Sequence, residues 1–343
     1  MRQRRTRRAL GAALAALTLG VLTAGAAGGV VSGAGQDGTD TSDGSATWAL
    51  ATADGDLGTG RADYSYPVVA GEVVADGIVL QSQSDATLKL KVYAADAYTT
   101  ADGLAALRPA AEKRTDAGGW IAFGEPSGGA VDAASVQVQL EPGASVSVPF
   151  EVRVPENASP GDHAAGIVTS VLDESGAVSA QDSHRLALQV YVAVAGELKP
   201  ELKVSELRIS AQASANPFSS GQITVAYTLT NSGNVRLVPT EQVRLAGPAG
   251  IGGSEGAANT LPEILPGSYV TRQVTVAGIF PLFRTIAEVE VSGVAAGAST
   301  ELPVVARERV TIWTIPWLWL GLALILIAVA IGIPAVRAGR SDR

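Results

Sequence analysis

The chain contains no cysteine, two histidines and one methionine in 343 residues, and aromatic side chains make up only 5% of it. Without cysteine there is no disulfide framework, no thiol nucleophile, no thiolate metal cage and no lipoprotein-type anchor, so any exported domain must hold together by apolar burial alone. His163 and His184 do not fall in an H-E-x-x-H pattern or within one helical turn of each other, so no zinc set is expected. Neither metal nor cofactor is anticipated, and the thin stock of proton carriers and nucleophiles argues against an enzyme. Basic residues are also in deficit: 25 Lys and Arg face 33 Asp and Glu, a formal charge of −8. That balance argues against nucleic acid as a partner, and against charge-driven adhesion to anionic lipid or wall polymer, because both need clustered cations.

Cations gather instead at the two ends. Arg2, Arg4, Arg5, Arg7 and Arg8 precede an apolar run from Ala9 to Ala24, and Ala24-x-Ala26 supplies a small-residue exit, so residues 1–26 read as a secretory signal peptide. Its removal takes away five arginines and shifts the charge from −8 to −13. At the other end no ionisable side chain occurs between Arg309 and Arg337, and residues 313–336 read as one transmembrane helix. Twenty helical residues rise about 30 Å, the thickness of the bilayer hydrocarbon. Trp313, Trp317 and Trp319 suit one headgroup layer, while Arg337 and Arg340 suit the other and place a basic tail, residues 337–343, in the cytoplasm. The expected topology is single-pass, with the N-terminal part exported. Ala328-x-x-x-Gly332 would let a second membrane helix approach closely.

Between the ends, residues 27–47 are a polar low-complexity linker expected to be disordered. From Trp48 onward apolar and polar residues alternate, as in Leu88, Leu90 and Val92, in Val136, Val138 and Leu140, in Val146 to Val154, and in Leu186 to Val192. Period-two alternation marks strands with one buried face. The only helical spacing is Leu104 to Glu112, inside an irregular insertion from Ala101 to Gly119. After a linker at Ala195 to Pro200 the alternation resumes with Leu202 and Val204, then Ile223 to Leu229 and Ala287 to Val291. Pro142-Gly143-x-x-Val146 in the first unit is matched by Pro266-Gly267-x-x-Val270 in the second. The fold class expected is therefore all-β: two tandem immunoglobulin-like sandwiches, residues 48–195 and 200–306, followed by one C-terminal transmembrane helix.

Several short patterns spell known sites without their context. Gly33-x-Gly35-x-x-Gly38 lacks the strand and helix of a dinucleotide site, and Gly252-x-Ser254-x-Gly256 lacks those of a nucleophile elbow. Asp54-x-Asp56-x-Gly58 has no acid to close a calcium loop and reads as a polar turn. Asn157-Ala158-Ser159 has the glycosylation triplet, but with Pro160-Gly161 following it reads as turn chemistry. An uncharged route to glycan is ring stacking, for which Tyr98 and Trp120, flanking the insertion, are the surface candidates.

Three segments carry a family resemblance: Val154-Pro-Glu-Asn-Ala-Ser-Pro-Gly-Asp-His-Ala-Ala-Gly-Ile167, Ala94-Ala-Asp-Ala-Tyr-Thr-Thr100 and Gly119-Trp120-Ile121. Over Trp48 to Ala195 the chain resembles the N-terminal domain of WxL-interacting proteins, wall-associated surface proteins of Gram-positive bacteria. The resemblance implies an immunoglobulin-like fold, binding of peptidoglycan or another wall glycan, WxL-type surface proteins as partners, and a C-terminal anchor. The candidate ligand contacts are Tyr98 and Trp120 beside the insertion, Asp96 in the second of these segments, and Asp162 and His163 as polar groups of the Pro160-Gly161 turn if that loop is exposed. Thr230 to Leu237 instead looks like the strand-turn-strand of generic bacterial immunoglobulin-like modules. Two functions fit: a non-enzymatic, membrane-anchored surface protein that binds peptidoglycan or a surface partner, and a structural or assembly subunit of a membrane complex with the sandwiches as spacers.

Overall fold

The computed structural model describes residues 47–172, 185–212, 221–247, 253–279, 284–296, 304–313 and 320–330. The signal segment, His184, Trp317, Trp319, Arg337 and Arg340 lie outside the described residues.

The first domain runs through β1 (Trp48–Thr52), β2 (Tyr64–Val68), β3 (Val73–Ser82), β4 (Leu88–Thr99) and β5 (Ala105–Leu107). A single 3-10 turn at Ala117–Gly119 leads into β6 (Ile121–Gly124), β7 (Val131–Ala133), β8 (Ser135–Leu140), β9 (Ser145–Arg153), β10 (Gly161–Val171) and β11 (Arg185–Val194). One sheet has the order β1-β3-β9-β6-β7 and the other β2-β11-β10-β4-β5, with β8 also on β4. Alternation dictates the packing. The buried series Val148, Phe150 and Val152 of β9 meets Ile167 of β10 and Val190 and Val192 of β11 in one core, where Tyr64 stands edge-on to Phe150 at 5.2 Å. The N-terminal edge is divided between the layers: β1 pairs with β3, whereas β2 crosses over and pairs in parallel with β11.

The second domain comprises β12 (Leu202–Gln212), β13 (Gly221–Asn231), β14 (Leu237–Ala246), β15 (Ser254–Glu255), β16 (Asn259–Thr260), β17 (Tyr269–Ile279), β18 (Arg284–Ala295) and β19 (Val304–Trp313). Its sheets, β12-β13-β17 and β15-β14-β18-β19, enclose a separate core built on Val225, Tyr227, Leu229 and Val289. Both domains are thus β-sandwiches, and the strand order of the second is that of an immunoglobulin-type Greek key. The repeated Pro-Gly device is one turn used twice. Gly143 and Gly267 sit at φ 70° and 73°, and the residues after them, Ala144 and Ser268, donate back to Glu141 and Leu265. This is a type II turn, with Pro setting its first central position and Gly tolerating the second.

Two expectations need correction. Leu104 to Glu112 is no helix: Ala105–Leu107 pairs with Ala97–Thr99, and Leu107 packs on the cluster of Tyr93, Ala95 and Val168. A long-range apolar contact outweighs the weak helical spacing of those residues. Trp313 does not open a membrane helix but closes β19, paired with Arg284, so the second domain extends to Trp313 and not to 306. Alternation runs without a break into the apolar stretch, which hid the boundary. Residues 320–330 are helical with apolar side chains exposed, about 16 Å of rise, and among the described residues no helix is long and apolar enough to cross a membrane.

Each core also contains an ionic triad. In the first, Arg61 grips Asp76 with both terminal nitrogens, 2.7 and 3.0 Å, and Tyr66 donates to the same carboxylate at 2.7 Å. In the second, Glu241 accepts from Tyr227, from Arg272 at 2.6 Å and from Asn259 at 3.1 Å, joining β13, β14 and β17. Burial pushes the Glu241 carboxyl up, but these donors outweigh it and hold the group below the usual carboxylate range. Its contribution is therefore present above the ordinary carboxylate pKa and is lost as pH falls through the lowered value.

Glu241→Ala should destabilise the second domain by about 3 kcal/mol, the cost of leaving one partner of a buried pair alone. Arg244→Ala, which breaks surface contacts with Gln242, Glu255 and Glu290, should leave the urea midpoint nearly unchanged.

Candidate functional site at the domain junction

The two sandwiches meet along two seams. At the first, Thr99 Oγ1 donates to the Glu263 carbonyl and accepts from the Leu265 amide, 3.3 and 3.0 Å, while the Thr99 amide donates to Ser268 Oγ at 3.1 Å. Thr271 adds a main-chain bond to Ala101 at 2.7 Å. At the second, the Asp162 amide donates to the Asn234 carbonyl at 2.8 Å, and Asp162 Oδ2 accepts from the Arg236 amide at 2.8 Å. The Asn234 side chain donates to Pro160 and Glu197 and accepts from Lys199, tying both domains to the linker. Gly161 makes this approach feasible: it sits at φ 119°, and a Cβ there would lie 2.1 Å from the Asn234 carbonyl oxygen.

Arg236 is the charged centre of the second seam. It is 8% exposed, its guanidinium lies 3.8 Å over the Tyr191 ring, and it is flanked by Asp162 at 3.6 Å and Glu263 at 3.4 Å. Burial raises the Glu263 carboxyl, opposed by Arg236 and reinforced by the charges of Asp162 and Asp63. Burial likewise raises the Tyr191 hydroxyl.

Four of the five sequence-predicted contact residues are engaged internally. Asp96, 4% exposed, accepts from the amides of Thr115, Asp116 and Gly118 at 2.7, 3.2 and 2.8 Å, folding the end of the insertion back onto β4. The Asp116 so placed meets His163 Nδ1 at 2.5 Å. His163 Nε2 faces the Ser159 carbonyl at 2.8 Å, and the ring packs on Trp120 at 4.6 Å between centroids. Asp162 belongs to the seam. Tyr98 alone lines an open cleft of about 820 Å³ between the domains, its ring beneath the Arg108 guanidinium at 5.3 Å. Sequence reasoning missed Asp116, Arg236, Glu263 and Tyr191, all of which act across long sequence separations.

Ser159, His163 and Asp116 have the residue types of a hydrolytic triad but not its chemistry. Ser159 Oγ is 3.5 Å from Nε2, which already donates to the carbonyl of the same residue. The Ser159 carbonyl can only accept, so Nε2 carries its hydrogen and offers Ser159 Oγ no lone pair, unlike the nitrogen of a general base. Burial alone would lower the His163 pKa, but Asp116, the Ser159 carbonyl and the nearby Asp162 outweigh it and raise the value above 6.5. Among the described residues no group of His, Asp and Glu could hold a metal ion. Asp54 caps a tight turn by accepting from the Gly60 amide at 2.9 Å, and Ser254 lies in the two-residue strand β15, donating to Ala277.

A group whose folded pKa is raised stabilises fully below its unfolded value and loses that contribution as pH rises through the folded one. The melting temperature should therefore drop as pH climbs from 6.5 through the raised value, and His163→Gln should flatten that part of the profile in a thermal-shift series. Arg236→Ala should loosen the junction without unfolding either core, seen as a larger radius of gyration by small-angle scattering with unchanged circular dichroism.

No family model matches the chain, and no curated protein matches it. Solved structures do. A chain of a chaperone and tip-adhesin complex from CFA/I fimbriae biogenesis is 13% identical, with 77% of this chain and 99% of that one covered and a TM-score of 0.37. The class 5 fimbriae chaperone CfaA is 14% identical over 71% of this chain and 95% of its own, with a TM-score of 0.34. A PapD-like domain of human CEP192 is 13% identical over 48% and 96%, with a TM-score of 0.27. The fold described above rests on the strand pairing of this chain, not on these likenesses.

Proposed function

We propose that the protein is a non-enzymatic recognition module of the cell surface, which presents two coupled sandwiches outward and binds a wall glycan such as peptidoglycan, or a surface protein of WxL type, at the domain junction. The observation that carries this reading is the cleft of about 820 Å³ between domains joined by two hydrogen-bonded seams. Clefts at domain interfaces are where binding sites concentrate, and a junction fixed in advance loses little entropy on binding. Tyr98 faces the cleft and supplies a ring for stacking. The apolar segment after Trp313 would hold the protein to the membrane, with the basic tail inside. In the assembly-subunit reading the same cleft would hold a partner polypeptide.

Residues 48–313, which contain both cores, should sediment with isolated Gram-positive cell wall or with a membrane extract containing the surface partner. Tyr98→Ala should reduce the bound fraction several-fold. Recovery of the fragment wholly in the supernatant of both mixtures would sink the proposal.

A further inference from the structure

One strand at the cleft is only half covered. β2 pairs with Val190–Val194 of β11, but no described strand pairs with residues 186–189 on that side. The Ala195 amide donates to Val68, which fixes the odd-numbered residues of β11 as those whose main-chain groups point towards β2. By strand alternation the Ala187 N–H and C=O and the Gln189 N–H therefore point into the uncovered position, and both residues are exposed. The chain that would continue β2 upstream turns away at Asp63. The vacant lane is floored by half-buried Leu186 and Leu188, and both leucines line the cleft with Tyr191 and Glu263. Unpaired strand edges bordering an apolar groove accept added strands.

Charge selects the occupant. Asp63 is exposed at the end of the lane and has no hydrogen-bond or ion-pair partner among the described residues. Its negative charge is felt at Glu263 and at Tyr191 across the cleft. Arg236 is already committed to Asp162, Glu263 and Tyr191, and Arg185, a cation of the cleft lining, sits at the opposite end of the lane beside Leu186, so the Asp63 end carries the negative charge. We propose that the open edge of β11 takes an extended segment of a partner polypeptide as an added strand in line with β2, with a lysine or arginine side chain of that segment placed between Asp63 and Glu263. This deepens the recognition function proposed above and rests on its protein-partner form.

The test uses the full chain in a mild detergent and a fluorescein-labelled, end-blocked peptide of alternating Val and Thr with one central Lys, beside versions with Glu or Gln in its place. Fluorescence anisotropy should show the Lys peptide binding at least tenfold more tightly than the Glu peptide. Ala187→Pro, which removes an edge amide that no described strand uses, should abolish binding of all three. Asp63→Lys, at an exposed position, should invert the Lys-over-Glu preference while the melting temperature stays unchanged. Equal binding of the three peptides, binding indifferent to both substitutions, or displacement of the Lys peptide by tetra-N-acetylchitotetraose would overturn the inference. Sedimentation with wall in the absence of any peptide binding would leave the recognition function standing and defeat this inference alone.

Discussion

A guanidinium removed from water must be matched by anions and by polarisable surface, and Arg236 finds them only when both domains are in place. Tyr191 and Asp162 come from the first sandwich and Glu263 from the second. The second domain alone would leave this charge partly unmatched, so the relation between the sandwiches is set by the need to keep it paired. The close approach of the Pro160 to Asp162 segment to Asn234, and the Thr99 bonds to the Glu263 to Ser268 turn, follow from the same geometry. The cleft is the space these two seams leave between them.

Much of the fold was legible because period-two alternation is a local signal. Ile223 to Leu229 and Val146 to Val154 each declare a buried face without reference to the rest of the chain. The paired Pro-Gly turns were legible for the same reason, since each turn's demand on φ is met within four residues. The insertion was not. Leu107 is held by Tyr93, Ala95 and Val168, and nothing within Leu104 to Glu112 announces those partners. Glu241 did leave a trace: it occupies an inward position in the series Leu237, Pro239, Glu241, Val243 and Leu245, where a charge must have buried partners.

The site was harder to read, and the reason is chemical. An aspartate beside glycine or alanine looks the same in sequence whether its oxygens face backbone amides or a ligand. Asp96 and Asp162 were expected to contact a ligand, yet acceptor oxygens of theirs are used by Thr115, Asp116 and Gly118 in one case and by Arg236 in the other. The Pro-Gly-Asp-His segment forms the first domain's side of the second seam, with His163 buttressed by Asp116 and Trp120. The insertion and the junction are therefore one construction: Asp96 sets Asp116, Asp116 sets His163, and the neighbouring Asp162 meets the second domain.

The last strand has a mechanical corollary. β12 enters the second domain at the junction end, where Leu202 lies opposite Asn231, while β19 leaves it at the far end, where Trp313 lies opposite Arg284. Tension between the first domain and whatever follows Trp313 therefore pulls along the strands, not across them. The ten residue pairs from Arg284–Trp313 to Gly293–Val304 would bear such a load in shear, all at once, and not peel open one by one. The exit strand is consequently a force-resistant connection between the two-domain junction and the apolar segment behind it.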